Sequence, residues 1–112
     1  MEITSKIDGD LVVFQLAGRI DAATSPSVEG AVNTAVGGGT KRVIFDMNAV
    51  SYVSSAGLRV ILLAAKKANA AGGGMAVFGL QAGVQEVFSV SGFGRIVPIT
   101  ANEAEARTKL AG

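Results

Sequence analysis

The stretch RVIFDMNAVSYVSSAGLRVILLAAKKANAAGGGMAVF, residues 42–78, decides the fold that this sequence predicts. Its first four residues, 42–45, form an apolar run bounded by turns, which is typical of a strand buried on both faces. A helical pattern then extends from residue 57 to about residue 71, and three glycines end it. Its predicted core stripe consists of Leu58, Ile61, Leu62 and Ala65. Residues 75–78 form a second buried strand. This strand-helix-strand order predicts a right-handed crossover between two parallel strands.

The segment before this stretch predicts a hairpin and a helix. Residues 10–18 distribute their apolar side chains with the period of a strand. Residues 3–7 form a weaker strand, and a turn signal between the two segments predicts that they pair. Ser25 is expected to cap a helix that begins at Pro26, and the glycine triplet at 37–39 ends this helix.

The segment after the stretch completes the fold. Residues 84–88 predict a short helix, residues 95–99 a last strand and residues 102–110 a last helix. Because Pro98 has no backbone N–H, we place that strand at an edge of the sheet. The element order is therefore β-β-α-β-α-β-α-β-α, which predicts an α/β fold with a mixed, mainly parallel sheet of about five strands and four helices. We expect a single domain over residues 1–112, since this length builds one modest core.

The residue composition excludes several classes of function. The chain has no cysteine and no histidine, which excludes thiol catalysis, disulfides, zinc sites of the usual ligand type and imidazole acid-base chemistry. We therefore expect no catalytic residue, no metal site and no cofactor. The formal charge of +1, without a cluster of lysine and arginine, argues against a nucleic-acid surface.

Membrane insertion and export are not expected either. No apolar run approaches the ~20 residues that a transmembrane helix needs, and the first residues lack the pattern of a signal peptide. The cytoplasm is the expected location. The glycines at 37–39 precede a strand instead of opening a helix, so they do not match a phosphate-binding loop. The sequence favours a protein that is not an enzyme.

Two adjacent hydroxyls, Ser54 and Ser55, lie just before the long helix. The preceding strand is expected to end near Asp46, with a short loop leading to the serines. One serine can act as the N-cap of the helix, a role worth ~1 kcal/mol. Two adjacent serines cannot both occupy the cap, so one hydroxyl is left where free N–H groups and the helix dipole favour an anion. Phosphorylation there would add roughly −1.5 to −2 charges without melting the helix.

Three motifs resemble those of a known family. Residues 46–58, DMNAVSYVSSAGL, resemble the signature of STAS domains in bacterial anti-sigma-factor antagonists, in which a serine precedes a small residue and Gly-Leu. Residues 16–21, LAGRID, are similar to the family's motif after the second strand, and residues 90–93, VSGF, are more loosely similar to its motif after the third helix. The resemblance spans essentially the whole chain and implies a STAS fold.

The resemblance also implies a function. In such antagonists an anti-sigma factor, itself a serine kinase of the GHKL ATPase type, phosphorylates the serine and releases the antagonist, and a metal-dependent serine phosphatase reverses the modification. Carried over, the resemblance implies a partner-switching regulator that is phosphorylated on Ser55. The resemblance also places on Asp21 an aspartate that supports partner binding, and we expect one partner-binding face made of Asp21, Ser54, Ser55, Gly57 and Arg59.

Alternative interpretations stay open for several of these residues. Asp21 could be a loop cap for the backbone of the residues that follow it, and Arg59 could be an ordinary solvated helix residue. Ser54 stands where the best-known antagonists have an aspartate, which makes Ser54 a second candidate acceptor. This departure also leaves open whether the regulated output is a sigma factor, secretion, motility or another process. Exposure of Val60 and Leu63 would support self-association, but core packing and a monomer are favoured.

A function of another class is also compatible with the resemblance. Some STAS domains are permanent, non-catalytic scaffold subunits of transporters or of other regulatory complexes. Those domains often lack the acceptor serine, whereas Ser55 is present here. Phosphorylation of the chain would distinguish the switch from the scaffold.

Overall fold

Five β-strands and four α-helices alternate along residues 1–111, the part of the chain that the computed structural model describes. The strands are Glu2–Asp8 (β1), Leu11–Ile20 (β2), Arg42–Val53 (β3), Gly74–Phe78 (β4) and Ile99–Thr100 (β5). The helices are Ser25–Gly37 (α1), Ser55–Ala70 (α2), Ala82–Ser91 (α3) and Glu103–Leu110 (α4). The predicted element order is confirmed.

The strands form one sheet in the order β1-β2-β3-β4-β5. β1 and β2 are antiparallel and are joined by a tight turn at Gly9, whose φ of 63° is readily adopted by glycine. The pairs β2–β3, β3–β4 and β4–β5 are parallel, because a helix returns the chain to the start of each next strand. The prediction of a mixed, mainly parallel sheet is confirmed.

Each face of the sheet carries its own apolar cluster. α1, α2 and α3 cover one face, where Val12, Phe14 and Leu16 of β2 join the main core. α4 covers the other face, where Leu11 and Val13 pack in a smaller cluster. The alternation predicted for β2 is therefore confirmed.

β3 is much longer than predicted. The expectation that it ends near Asp46 is wrong, since the strand continues to Val53 and leads directly to Ser54. Pairing with β2 persists through two register shifts, and every third residue from Met47 to Val53 is buried. Burial at this spacing hides the two-residue alternation by which a strand is recognised in a sequence.

β5 lies at the edge of the sheet, as Pro98 predicted, but it has only two residues. The prediction of a strand over residues 95–99 is wrong. Phe93–Arg95 form a 3₁₀ turn instead, and Val97 is buried four residues after the buried Phe93. Arg95, which a strand would place on the same face as Phe93 and Val97, is exposed, so burial does not alternate as it does in a strand.

α1 does not begin as predicted. Ser25 is its first helical residue and Thr24 precedes it, so the prediction that Ser25 is the N-cap is wrong. The Ser25 hydroxyl donates to the backbone oxygen of Asp21 at 2.6 Å. The Thr24 hydroxyl donates to the backbone oxygen of Arg19 at 2.7 Å. Both hydroxyls therefore hold the turn that follows β2.

α2 is the longest helix, and its buried side is broader than predicted. Ile61 is buried as expected, while Leu58 and Leu62 are half-buried against the core. Val60 is only 4% exposed, which removes it from a surface for self-association, whereas Leu63 is 46% exposed. No helix within residues 1–111, α2 included, combines the length and the apolar character needed to cross a membrane.

Candidate functional site

The carboxyl ends of β2 and β3 meet at one edge of the sheet, where the predicted site residues lie. Because the two strands are parallel and pair to their ends, Ile20 stands opposite Val53. The backbone N–H of Ser54 donates to the backbone oxygen of Ile20 at 2.9 Å. This bond holds the chain after β2, beginning with Asp21, next to the start of α2.

Ser54 caps α2. Its backbone is extended, with φ −85° and ψ 177°, and its hydroxyl oxygen accepts a hydrogen bond from the backbone N–H of Gly57 at 3.1 Å. This geometry satisfies one of the N–H groups that the first turn of a helix leaves free. The structure thus decides which of the two serines has the capping role.

Ser55 is the first residue of α2, and it is exposed to solvent. Within residues 1–111 the side-chain hydrogen bond at this helix start is made by the Ser54 hydroxyl, and the Ser55 hydroxyl makes none. Ser55 therefore presents an exposed hydroxyl that is not hydrogen-bonded to any side chain within residues 1–111.

Removal of the cap should have a measurable cost. Ser54→Ala is expected to lower the free energy of unfolding by about 1 kcal/mol, whereas Ser54→Asp should keep most of it because aspartate accepts the same bond. Ser55→Ala is the matched control, with an expected change within about 0.5 kcal/mol. Urea unfolding followed by circular dichroism compares the three proteins. Equal stability of Ser54→Ala and Ser55→Ala would contradict the cap assignment.

Gly57 lies beneath the site and not on its surface. It is buried, and a Cβ at this position would stand 2.3 Å from the backbone oxygen of Ile20. Glycine is therefore required for α2 to begin so close to the end of β2. Gly57 was expected to belong to a partner-binding face. Because it is buried, it can shape that face but offers no contact surface of its own.

Asp21 organises the turn between β2 and α1. Its Oδ1 accepts hydrogen bonds from the backbone N–H groups of Ala23 at 3.0 Å and Thr24 at 3.2 Å. Desolvation acts to raise the pKa of Asp21, but the hydrogen bonds from Thr24 and Ala23 and the nearby Arg19 guanidinium outweigh it and hold that pKa below its usual range. The loop-cap interpretation is confirmed, and a fixed negative charge stands beside the serines.

Arg19 and Tyr52 are additional members of this edge that the sequence analysis missed. They are paired across β2 and β3, and the Arg19 guanidinium carbon lies 4.3 Å from the centre of the Tyr52 ring. Arg19 Nε is also 3.6 Å from Asp21 Oδ2. Tyr52 is 42% exposed, so its ring is open to solvent at this edge. The register shifts between β2 and β3 that pair Arg19 with Tyr52 cannot be recognised in the sequence.

Arg59 lies one turn after Ser55 on α2 and is exposed. Within residues 1–111 it has no carboxylate partner within ion-pair distance, and the first turn of α2 carries no acidic residue. The structure therefore brings Asp21, Ser54, Ser55 and Arg59 to one edge of the sheet, with Gly57 buried below them.

Comparison with protein families agrees with this fold. The model of the STAS domain family matches residues 2–106. The chain belongs to the STAS domain family. It is 40% identical over 107 residues to a protein of Bordetella bronchiseptica that is provisionally named anti-sigma factor antagonist BtrV, and the alignment covers 95% of this chain and 90% of that protein.

Solved structures share the fold. A Thermotoga maritima protein, also provisionally named an anti-sigma factor antagonist, matches with a TM-score of 0.91 at 22% identity, over 98% of this chain and 95% of its own. The Bacillus anti-sigma factor antagonist SpoIIAA, solved in unphosphorylated and phosphorylated forms, matches with a TM-score of 0.74 in both forms, at 18% and 22% identity. Both matches cover 96% of this chain, and they cover 96% and 98% of SpoIIAA. At these identities the likeness establishes the fold.

Proposed function

We propose that the chain is an anti-sigma-factor antagonist, a partner-switching regulator that binds its partner until Ser55 is phosphorylated. The observation that carries this proposal is the free hydroxyl of Ser55 at the start of α2, beside a serine that already fills the cap. The names of BtrV and SpoIIAA support the same class of function. The partner would be an anti-sigma factor that is also a serine kinase of the GHKL ATPase type, acting in the cytoplasm.

The phosphoryl transfer would use this chain as a substrate. Ser55 Oγ attacks the γ-phosphorus of ATP, the bond from that phosphorus to the bridging oxygen breaks, and ADP leaves. The hydroxyl proton would pass to a base of the kinase, since no side chain within residues 1–111 accepts a hydrogen bond from Ser55. The magnesium ion and the phosphate-binding groups likewise belong to the kinase. A metal-dependent serine phosphatase would return the chain to its free hydroxyl by hydrolysis.

The partner-binding face would comprise the exposed residues of this edge. Asp21 contributes a half-buried negative charge, Arg59 an exposed positive charge without a carboxylate partner in residues 1–111, and Tyr52 an exposed ring that contacts Arg19. Tyrosine and arginine are the residue types most often found at the energetic centre of protein interfaces. A standard interface would cover ~800 Å² on each partner.

Incubation with ATP and the partner kinase tests the proposal directly. A pull-down from cell extract recovers the kinase, and intact-protein mass spectrometry then follows the modification. The unsubstituted chain and Ser54→Ala should each gain one phosphoryl group, whereas Ser55→Ala should gain none. If Ser54→Ala alone lost the modification, Ser54 and not Ser55 would be the acceptor. If no protein gained a phosphoryl group, the chain would more closely fit a non-catalytic scaffold subunit.

A further inference from the structure

We propose that Arg59 holds the phosphate once Ser55 is phosphorylated, through an ion pair on the surface of α2. The inference rests on the proposed function, because it concerns the phosphorylated form of the same site. Arg59 would then have two roles that cannot be filled at the same time. The guanidinium is available to a partner before phosphorylation, and it is paired with the phosphate of its own chain afterwards.

The helical geometry supports this pairing. Ser55 and Arg59 are four residues apart on α2, and both are exposed. Side chains at this spacing lie on the same side of a helix with Cβ atoms about 5–6 Å apart, and an acid that precedes a base by four residues is the more favourable order. A guanidinium can also donate two parallel hydrogen bonds to the oxygens of one phosphate group.

Other cations near the site are either occupied or distant. Arg19 is held between the Tyr52 ring and Asp21. Lys66 lies eleven residues after Ser55 on α2, which places it about 16 Å away along the helix axis. Arg59 is therefore the cation that a phosphate on Ser55 meets first.

Arg59 is also poorly placed until such an anion appears. It stands near the positive end of the α2 dipole, where a cation is unfavourable, and no acidic residue in the first turn compensates for it. A phosphate on Ser55 would supply the missing negative charge at the position that the helix favours. Phosphorylation would thus add a charge to the face and, in the same step, withdraw Arg59 from any partner that had used it.

The test uses full-length chain with phosphoserine incorporated at position 55 during translation, and titration of its phosphate by phosphorus NMR. An ion pair favours the doubly charged phosphate and lowers its second pKa, so Arg59→Gln should raise that pKa by about half a unit. Arg59→Lys should recover part of the difference. Lys66→Gln is the matched control, since it removes an exposed cation from the same helix at a distance, and it should leave the pKa unchanged.

Equal pKa values in the unsubstituted, Arg59→Gln and Lys66→Gln phosphoproteins would overturn the proposal, as would equal shifts in both variants. As a second measurement, a broad-specificity phosphatase should remove the phosphate from Arg59→Gln about threefold faster, because the phosphate no longer has to leave an ion pair. Both measurements are independent of the kinase. A failure of the kinase to modify Ser55 therefore counts against the proposed function alone, and an unshifted phosphate pKa counts against the Arg59 pairing alone.

Discussion

Phosphoserine at position 55 is expected to weaken binding of the partner kinase by about 100- to 1,000-fold relative to the unmodified chain. Ser55 is exposed at the centre of the proposed face, between Asp21 and Arg59, so docking would bury the phosphate against a surface shaped for a neutral hydroxyl. An exposed pair with Arg59 offsets only a few tenths of a kcal/mol, whereas burial of a charge that the kinase does not neutralise costs several kcal/mol, and each ~1.4 kcal/mol changes affinity tenfold. Titration calorimetry against the recovered kinase measures the difference.

Two controls separate the local effect from a change of net charge. Ser55→Ala should bind as tightly as the unmodified chain, because it adds no charge and removes no hydrogen bond made within residues 1–111. Phosphoserine at Ser89, an exposed residue near the end of α3, adds the same charge elsewhere and should change affinity less than about twofold. If phosphoserine at position 89 lowered the affinity for the kinase as much as phosphoserine at position 55, the face around Ser55 would not be the interface.

Gly57→Ala is expected to lower the free energy of unfolding by about 3 kcal/mol, a large effect for the addition of one methyl group. The new Cβ would stand 2.3 Å from the backbone oxygen of Ile20, which also accepts the N–H of Ser54. Relief of this contact requires the start of α2 to move away from β2. The variant should therefore also bind the partner kinase poorly even where it remains folded.

Gly30→Ala is the matched control for this substitution. Gly30 also lies within a helix, α1, but a Cβ there would meet no atom within 4 Å. It should leave the protein as stable as before or raise the free energy of unfolding by about 0.5–1 kcal/mol, because alanine is the better helix former. Urea unfolding curves compare the two. A Gly57→Ala protein as stable as Gly30→Ala would show that α2 and β2 do not approach as closely as the structure indicates.

Much of the fold could be predicted because its signals are local. The alternation in β2, the apolar run that opens β3 and the glycines that end α1 and α2 all follow from short-range periodicity and backbone preference. The second half of β3 could not be predicted, since its bulges are stabilised by pairing with β2 and bury every third residue. The segment before β5 was missed for a similar reason, because Phe93 and Val97 are positioned by the core and not by strand periodicity.

The candidate site was likewise predictable only where its signals are local. Two hydroxyls at the start of a helix are visible in the sequence, but only the backbone angles of Ser54 and the bond that its hydroxyl accepts from Gly57 decide which serine is the cap. The approach of Gly57 to Ile20 and the contact of Arg19 with Tyr52 join residues far apart in the chain. Such contacts depend on strand register, which local patterns do not specify.

The bond from the Ser54 N–H to Ile20 has a consequence for how the molecule fluctuates. β3 is the middle strand of the sheet, and this bond extends its pairing with β2 to the residue just before Ser55. Local opening in proteins begins at edges and ends, whereas central paired strands exchange their amide protons last. Fraying of β1 or β5 would therefore leave the surroundings of Ser55 intact, and the backbone that carries the hydroxyl would keep its position for as long as the sheet itself persists.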